Sequence, residues 1–253
     1  MEGICKLCQK QKKLIKSHII PRSILRILSL GEKFDGQIIA IHQNKKTPVR
    51  RPGGAYEYML CSKCDGSLGA YDQYIQKFVS NVKLQRDKSN LGWITEGFDN
   101  NYIKLFCMSY LWRASITSKK EFSDVSLGEK HENMLRKLIY DKNPGSVNDY
   151  SVFIGKFVSS SKHGLFSKII MVPARTRIGN INFYEIYLPN LYKIFIKVDQ
   201  QPLTGQILEF ALKSRNFVPI YDFGEYENSK EHRMLRLAAR RGQRIKKSGS
   251  EGS

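Results

Sequence analysis

Four cysteines carry the plainest chemistry in this sequence. Cys5 and Cys8 form one Cys-x-x-Cys pair, and Cys61 and Cys64 form another. Two thiolates three residues apart can grip one face of a tetrahedral ion, and a second pair closes the coordination shell. In a chain with no sign of secretion, two such pairs predict a structural Zn²⁺ site rather than disulfides. Redox pairing is the rival reading of the same spacing. The fifth cysteine, Cys107, lies in the apolar run YIKLFCMSYLW and is expected to be a small buried hydrophobe. Between the two pairs lies Lys16-Ser17-His18-Ile19-Ile20-Pro21, which sets a lone imidazole between two basic clusters.

The elements that must position these residues follow from pattern. Leu14 to Ile20 reads as extended and is ended by Pro21, and residues 22–30 suit a short helix. Residues 31–55 read as irregular, with Gly53-Gly54 near the end. Tyr56 to Leu60 reads as a strand running into Cys61. From Asp65 onward Leu68, Tyr71, Ile75, Phe78, Val79 and Val82 recur at three- and four-residue steps, which is helical spacing. The second Cys pair therefore opens a helix, and knuckle, hairpin and helix in that order make a treble clef. Residues 99–117 and 126–141 are further helix candidates, the latter with Ser126 and Glu129 in a capping-box pattern. From residue 150 onward YSVFIGKF, SKIIMVPARTRI, INFYEIYL and YKIFIKV predict an antiparallel meander. Lys230 to Lys247 reads as a basic helix, and the terminal SGSEGS as a linker. The expected fold class is α+β. Its parts are a zinc module (1–90), a helical connecting region (91–149), a β-rich domain (150–229), a basic tail helix (230–247) and the linker (248–253).

The module resembles the zinc-bearing branch of the HNH (ββα-metal) endonucleases. The matching elements are Cys5/Cys8, His18 with Ile19 and Pro21, and Leu60-Cys61-Ser62-Lys63-Cys64-Asp65. The resemblance spans roughly residues 1–80. The stretches LWRASIT and SLGEKHENMLRKLI are similar to bacterial proteins that carry such a module. The resemblance implies that His18 is a general base, taking a proton from the attacking water. It implies that Asp65, a hard oxygen donor, holds a catalytic Mg²⁺ or Mn²⁺ that neutralises the scissile phosphate. The sequence departs from the pattern in two places: Ser17 stands where the family carries an acidic metal ligand, and Asp65 stands where it carries Asn or His, a replacement that would supply the missing charge. Asp72 is a second-rank ligand, because seven helical residues separate it from Asp65 by about 10 Å. A solvated residue or a partner for a nearby Lys is the plainer reading of Asp72.

The charge fits a polyanionic partner. The 253 residues carry 42 Lys+Arg against 23 Asp+Glu, a formal net charge of +19. Residues 1–90 hold net +10 (17 basic, 7 acidic) and residues 230–253 net +6 (8 basic, 2 acidic), whereas residues 91–149 are neutral. Lys12, Lys13 and Lys16 flank the first knuckle, and Lys45, Lys46, Arg50 and Arg51 lie in the insertion. Together with Arg240 and Arg241 they are the expected phosphate contacts, giving affinity without sequence readout. DNA is the expected partner and RNA the alternative. No apolar run approaches the ~20 residues of a membrane span. The N-terminus lacks a signal-peptide core, so a cytoplasmic location is expected. A regulatory protein partner or self-association would keep such a nuclease harmless. The rival functions are a zinc-finger nucleic-acid binder without catalysis, and an assembly module with purely structural zinc.

Overall fold

The computed structural model describes residues 1–28, 37–40, 49–52, 55–160, 171–234 and 236–237. Two larger sheets, a two-stranded hairpin and a set of helices build it. The first sheet has three strands in the order β1 (Glu2–Ile4), β2 (Gln11–His18) and β5 (Tyr56–Cys61), all antiparallel. β5 runs directly into α2 (Ser62–Asn81), three residues earlier than the apolar periodicity alone predicts. Leu68, Tyr71, Ile75, Phe78 and Val79 are its buried stripe. The long connection from β2 to β5 contains α1 (Arg22–Leu28). It also contains a hairpin of β3 (Gln37–Ala40) and β4 (Val49–Pro52), so this insertion holds regular structure where the sequence reads as irregular.

The second sheet has seven strands. They are β6 (Gln85–Arg86), β7 (Gly92–Glu96), β8 (Val152–Val158), β9 (Ala174–Ile178), β10 (Ile181–Leu188), β11 (Tyr192–Lys197) and β12 (Phe217–Glu225), in the spatial order β6-β7-β12-β8-β11-β10-β9. This corrects the expected meander. Only β9, β10 and β11 run up and down in sequence, and β8 returns beside β11, a Greek-key order. β12 pairs β8 in parallel and β7 in antiparallel fashion, so the sheet is mixed. β12 needs close approach on both sides. A Cβ at Gly92 would strike the Ile220 carbonyl, and one at Gly155 would strike the Phe223 ring.

Both faces of this sheet are covered, which is why its strands read as apolar throughout. One face packs against α2, α3 (Asn100–Ile116) and α4 (Glu129–Tyr140) in a core that runs from Cys5 to Ile220. The other face carries Phe153, Phe183 and Phe195 beneath α5 (Gly205–Phe210), with Phe153 and Phe195 stacked at 4.5 Å. α3 is the central helix and is buried nearly all round, Cys107 included as expected. The capping box at Ser126 does not form. α4 starts at Glu129 after Gly128 at φ 76°, while the Ser126 backbone exchanges hydrogen bonds with the Tyr184 hydroxyl. Residues 230–234 begin the terminal helix. Glu231 anchors it, bonding the buried Lys193 ammonium at 2.7 Å and the Tyr187 hydroxyl at 2.8 Å. No helix among the described residues is long and apolar enough to cross a membrane.

Candidate active site and metal centre

The four cysteines of the two pairs come together. Their sulfurs all lie within 4.8 Å of one another, a spacing that a single tetrahedral ion with ~2.3 Å bonds to sulfur draws in. All are free thiols. Cys5 and Cys8 sit on the turn between β1 and β2, which Gln9 closes at φ 58° with its N–H on the Cys5 carbonyl (2.8 Å). Cys61 ends β5 and Cys64 lies in the first turn of α2. The backbone is built to hold sulfur charge. Burial opposes ionisation of Cys5, but N–H groups of Cys8, Cys61 and Leu7 outweigh it and bring the thiol down to about 7. The Cys61 N–H reaches the Cys5 sulfur at 3.3 Å. Burial, with the neighbouring sulfurs, pushes Cys64 up. A sulfur as ready to ionise as Cys5 suits a soft divalent ion, which displaces the remaining thiol protons as it binds. The donor set thus fits a metal such as zinc.

The second half of the site lies beyond a register shift. β2 and β5 slip between Ile15 and Lys16, so that Leu14 faces inward before the shift and Ser17 after it. Lys16 and His18 are thereby turned to the opposite side, where an open groove of about 660 Å³ lies between β2, α1 and α2. Lys16, His18, Arg22, Arg26, Asp65 and Lys77 line it. Ser17 does not: it is fully buried, and its hydroxyl has no hydrogen-bond partner. The position occupied by an acid in the resembled family is therefore aimed away from the groove here. Its cross-strand partner Glu57 is tied to the end of α3 through the Thr117 hydroxyl (2.6 Å) and the Ser118 N–H (2.9 Å).

His18 is half-buried, and burial lowers its pKa below the ordinary 6.5. The Arg22 and Arg113 charges push the same way, while Asp65 and Asp72 pull against them. The net result is a neutral imidazole at pH 7. Asp65 shares the groove and accepts no hydrogen bond from any described residue. Asp72 also lines it, but both of its oxygens are taken. Arg113, reaching in from α3, donates to them at 3.0 and 2.7 Å and to the His18 carbonyl at 3.1 Å. Ser23 of α1 binds the Asp72 carbonyl at 2.6 Å. One guanidinium thus fastens β2, α2 and α3 together directly behind His18.

No family model, curated protein or solved structure matches this chain.

Several sequence-derived candidates join this groove and others do not. His18, Asp65, Asp72 and Lys16 line it. Lys12 and Lys13 are exposed on β2 opposite β1, outside the groove. Arg50 and Arg51 are on β4, and nothing is described of their side chains, while Lys45, Lys46, Arg240 and Arg241 lie outside the described residues. Sequence reasoning missed Arg113, Arg22, Arg26 and Lys77. Arg22 and Arg26 had a signal, since they are four apart on a short helix and so share a face. Lys77 had another: with Asp65, Gly69, Asp72, Gln73 and Gln76 it makes the polar stripe opposite the apolar stripe of α2. Arg113 had none, because its helix is apolar and 95 residues separate it from His18.

Proposed function

We propose that this chain is an HNH-like endonuclease that hydrolyses phosphodiester bonds in DNA, built on a zinc treble clef. One observation carries the reading. A neutral half-buried His18 faces a groove that also presents five cationic side chains and a carboxylate, Asp65, that accepts no hydrogen bond from any described residue. Lys16, Arg22, Arg26 and Lys77 would attract and position the phosphate backbone. His18 would take the proton of the attacking water, for which a neutral imidazole near the working pH is suited. Arg113 acts behind it, holding the His18 backbone by its carbonyl. A catalytic Mg²⁺ or Mn²⁺ fits the groove at the lower limit of donors: Asp65 would hold it together with substrate phosphate. That ion would supply neutralisation of the scissile phosphate.

A second reading is a zinc-bearing nucleic-acid binder without cleavage. Ser17 favours it, because among the described residues the groove then has Asp65 as its sole carboxylate not engaged by an arginine. A titration of plasmid DNA with Mg²⁺ and Mn²⁺ separates the two. Wild type should nick the plasmid, and His18→Ala and Asp65→Ala should each lower the rate on the order of 10²–10⁴-fold while the fold is kept. Equal rates in wild type and His18→Ala would end the nuclease reading.

A further inference from the structure

The exposed face beside His18 carries two aromatic rings that the cleavage reading does not use. On the far side of the register shift Lys16 pairs with Tyr58 and His18 with Tyr56, so the four side chains occupy one face of the β2–β5 ladder. Tyr56 and Tyr58 are 38% and 41% exposed, unusual for large rings on a strand whose next three residues are buried. The Lys16 ammonium lies 5.1 Å from the centre of the Tyr56 ring, and the His18 ring 6.3 Å from it. Neither tyrosine is among the residues lining the groove, so they extend its His18 side outward as a ledge. Glu57, between them, faces the other way and is held by Thr117 and Ser118.

The geometry points to a base-stacking ledge: Tyr56 and Tyr58 bind the unpaired bases of a single DNA strand whose backbone lies in the cationic groove. Two rings at alternate positions of one strand present a row of π-faces, and phosphate-binding lysines and arginines run beside them. This is the arrangement by which proteins hold single strands without reading sequence. A paired duplex buries its base faces in its own stack and offers them to neither ring. The Lys16, Arg22 and Arg26 cations beside the ledge favour an occupant with an anionic backbone over an apolar one. The inference rests on the nucleic-acid reading of the groove and names its substrate class: single strands, overhangs, or duplex ends that open.

Binding and cutting are measured separately. Anisotropy of a fluorescein-labelled oligothymidylate and of a blunt duplex is followed in EDTA, which takes up the free divalent ions that cleavage requires. Zinc content is checked after each run. Wild type should prefer the single strand. Tyr56→Ala and Tyr58→Ala should each weaken single-strand binding roughly tenfold, while duplex binding changes less than twofold. Tyr56→Phe and Tyr58→Phe should bind as wild type, because the ring and not the hydroxyl does the stacking. Intact folding is confirmed from the thermal transition. Alanine variants that bind both substrates as wild type does, or that lose both equally, overturn the proposal. The two readings fail differently. If only cleavage is wrong, the tyrosine-dependent preference persists and no substrate is cut. If only the ledge is wrong, His18-dependent cleavage persists and the tyrosine variants cut single strands at the wild-type rate.

Discussion

His18 draws its character from where its backbone puts it. A fully solvated histidine would titrate near 6.5. Here burial lowers that value, and the Arg22 and Arg113 charges add to the effect against Asp65 and Asp72. The neutral, proton-accepting form therefore persists as pH falls below 6.5. Cleavage should show an acidic limb whose apparent pKa lies under 6.5. Arg22→Gln, which removes one of the lowering charges, should move that limb to higher pH. A wild-type limb at or above 6.5, or one indifferent to Arg22, would contradict this account of the site. At this scale the sequence was most legible where ligand chemistry dictates spacing. Cys5, Cys8, Cys61 and Cys64 could be paired by eye because tetrahedral thiolate sites impose that spacing. Asp72 was legible only by halves. Its place on the Asp65 face follows from helical repeat, but its partner, a guanidinium on another helix, does not.

The helices act as a frame for one strand end. α3 is buried nearly all round, and the Arg113 guanidinium links it to the groove. The pair is well shielded, with the Arg113 side chain 3% and the Asp72 side chain 14% exposed. Breaking such a pair from one side leaves an uncompensated charge, whereas replacing both partners by apolar groups often recovers the loss. Arg113→Met should lower unfolding free energy on the order of 3 kcal/mol in urea titrations. Adding Asp72→Leu should restore part of it, while activity stays low because the His18 carbonyl has lost its donor. Full activity in the double variant would show that Arg113 has no part in positioning His18. α2, with its periodic stripe, and α3, with its apolar run, were readable in the sequence. The β6–β7 hairpin was not, since Gln85 and Arg86 carry no alternation and gain strand geometry only by pairing with β7. The Ser126 capping box also misled, because the tertiary bonds to Tyr184 outcompeted a local cap.

The largest core cluster joins the cysteine turn to the seven-stranded sheet. Buried side chains run without a break from Cys5 and Leu7 of the cysteine turn, through α2 and α3, to Val218 and Ile220 of β12. The cysteine cluster is therefore coupled to the sheet rather than hung on it. One zinc per chain is expected by elemental analysis. A strong chelator should shift a single melting transition downward, and Trp93 on β7 and Trp112 on α3 should report the same midpoint. A separate low-temperature transition that leaves the Trp signal in place would mean two independent units. The seat of β12 has a further consequence, for the order of synthesis. β7 and β8 are both made early, yet the strand that belongs between them ends only at Glu225. A chain still on the ribosome holds all four cysteines, His18, Asp65 and Arg113 while Trp93 and Ile94 wait for Ile220 and Pro219. The parts that would cut are translated before the strand that completes the sheet.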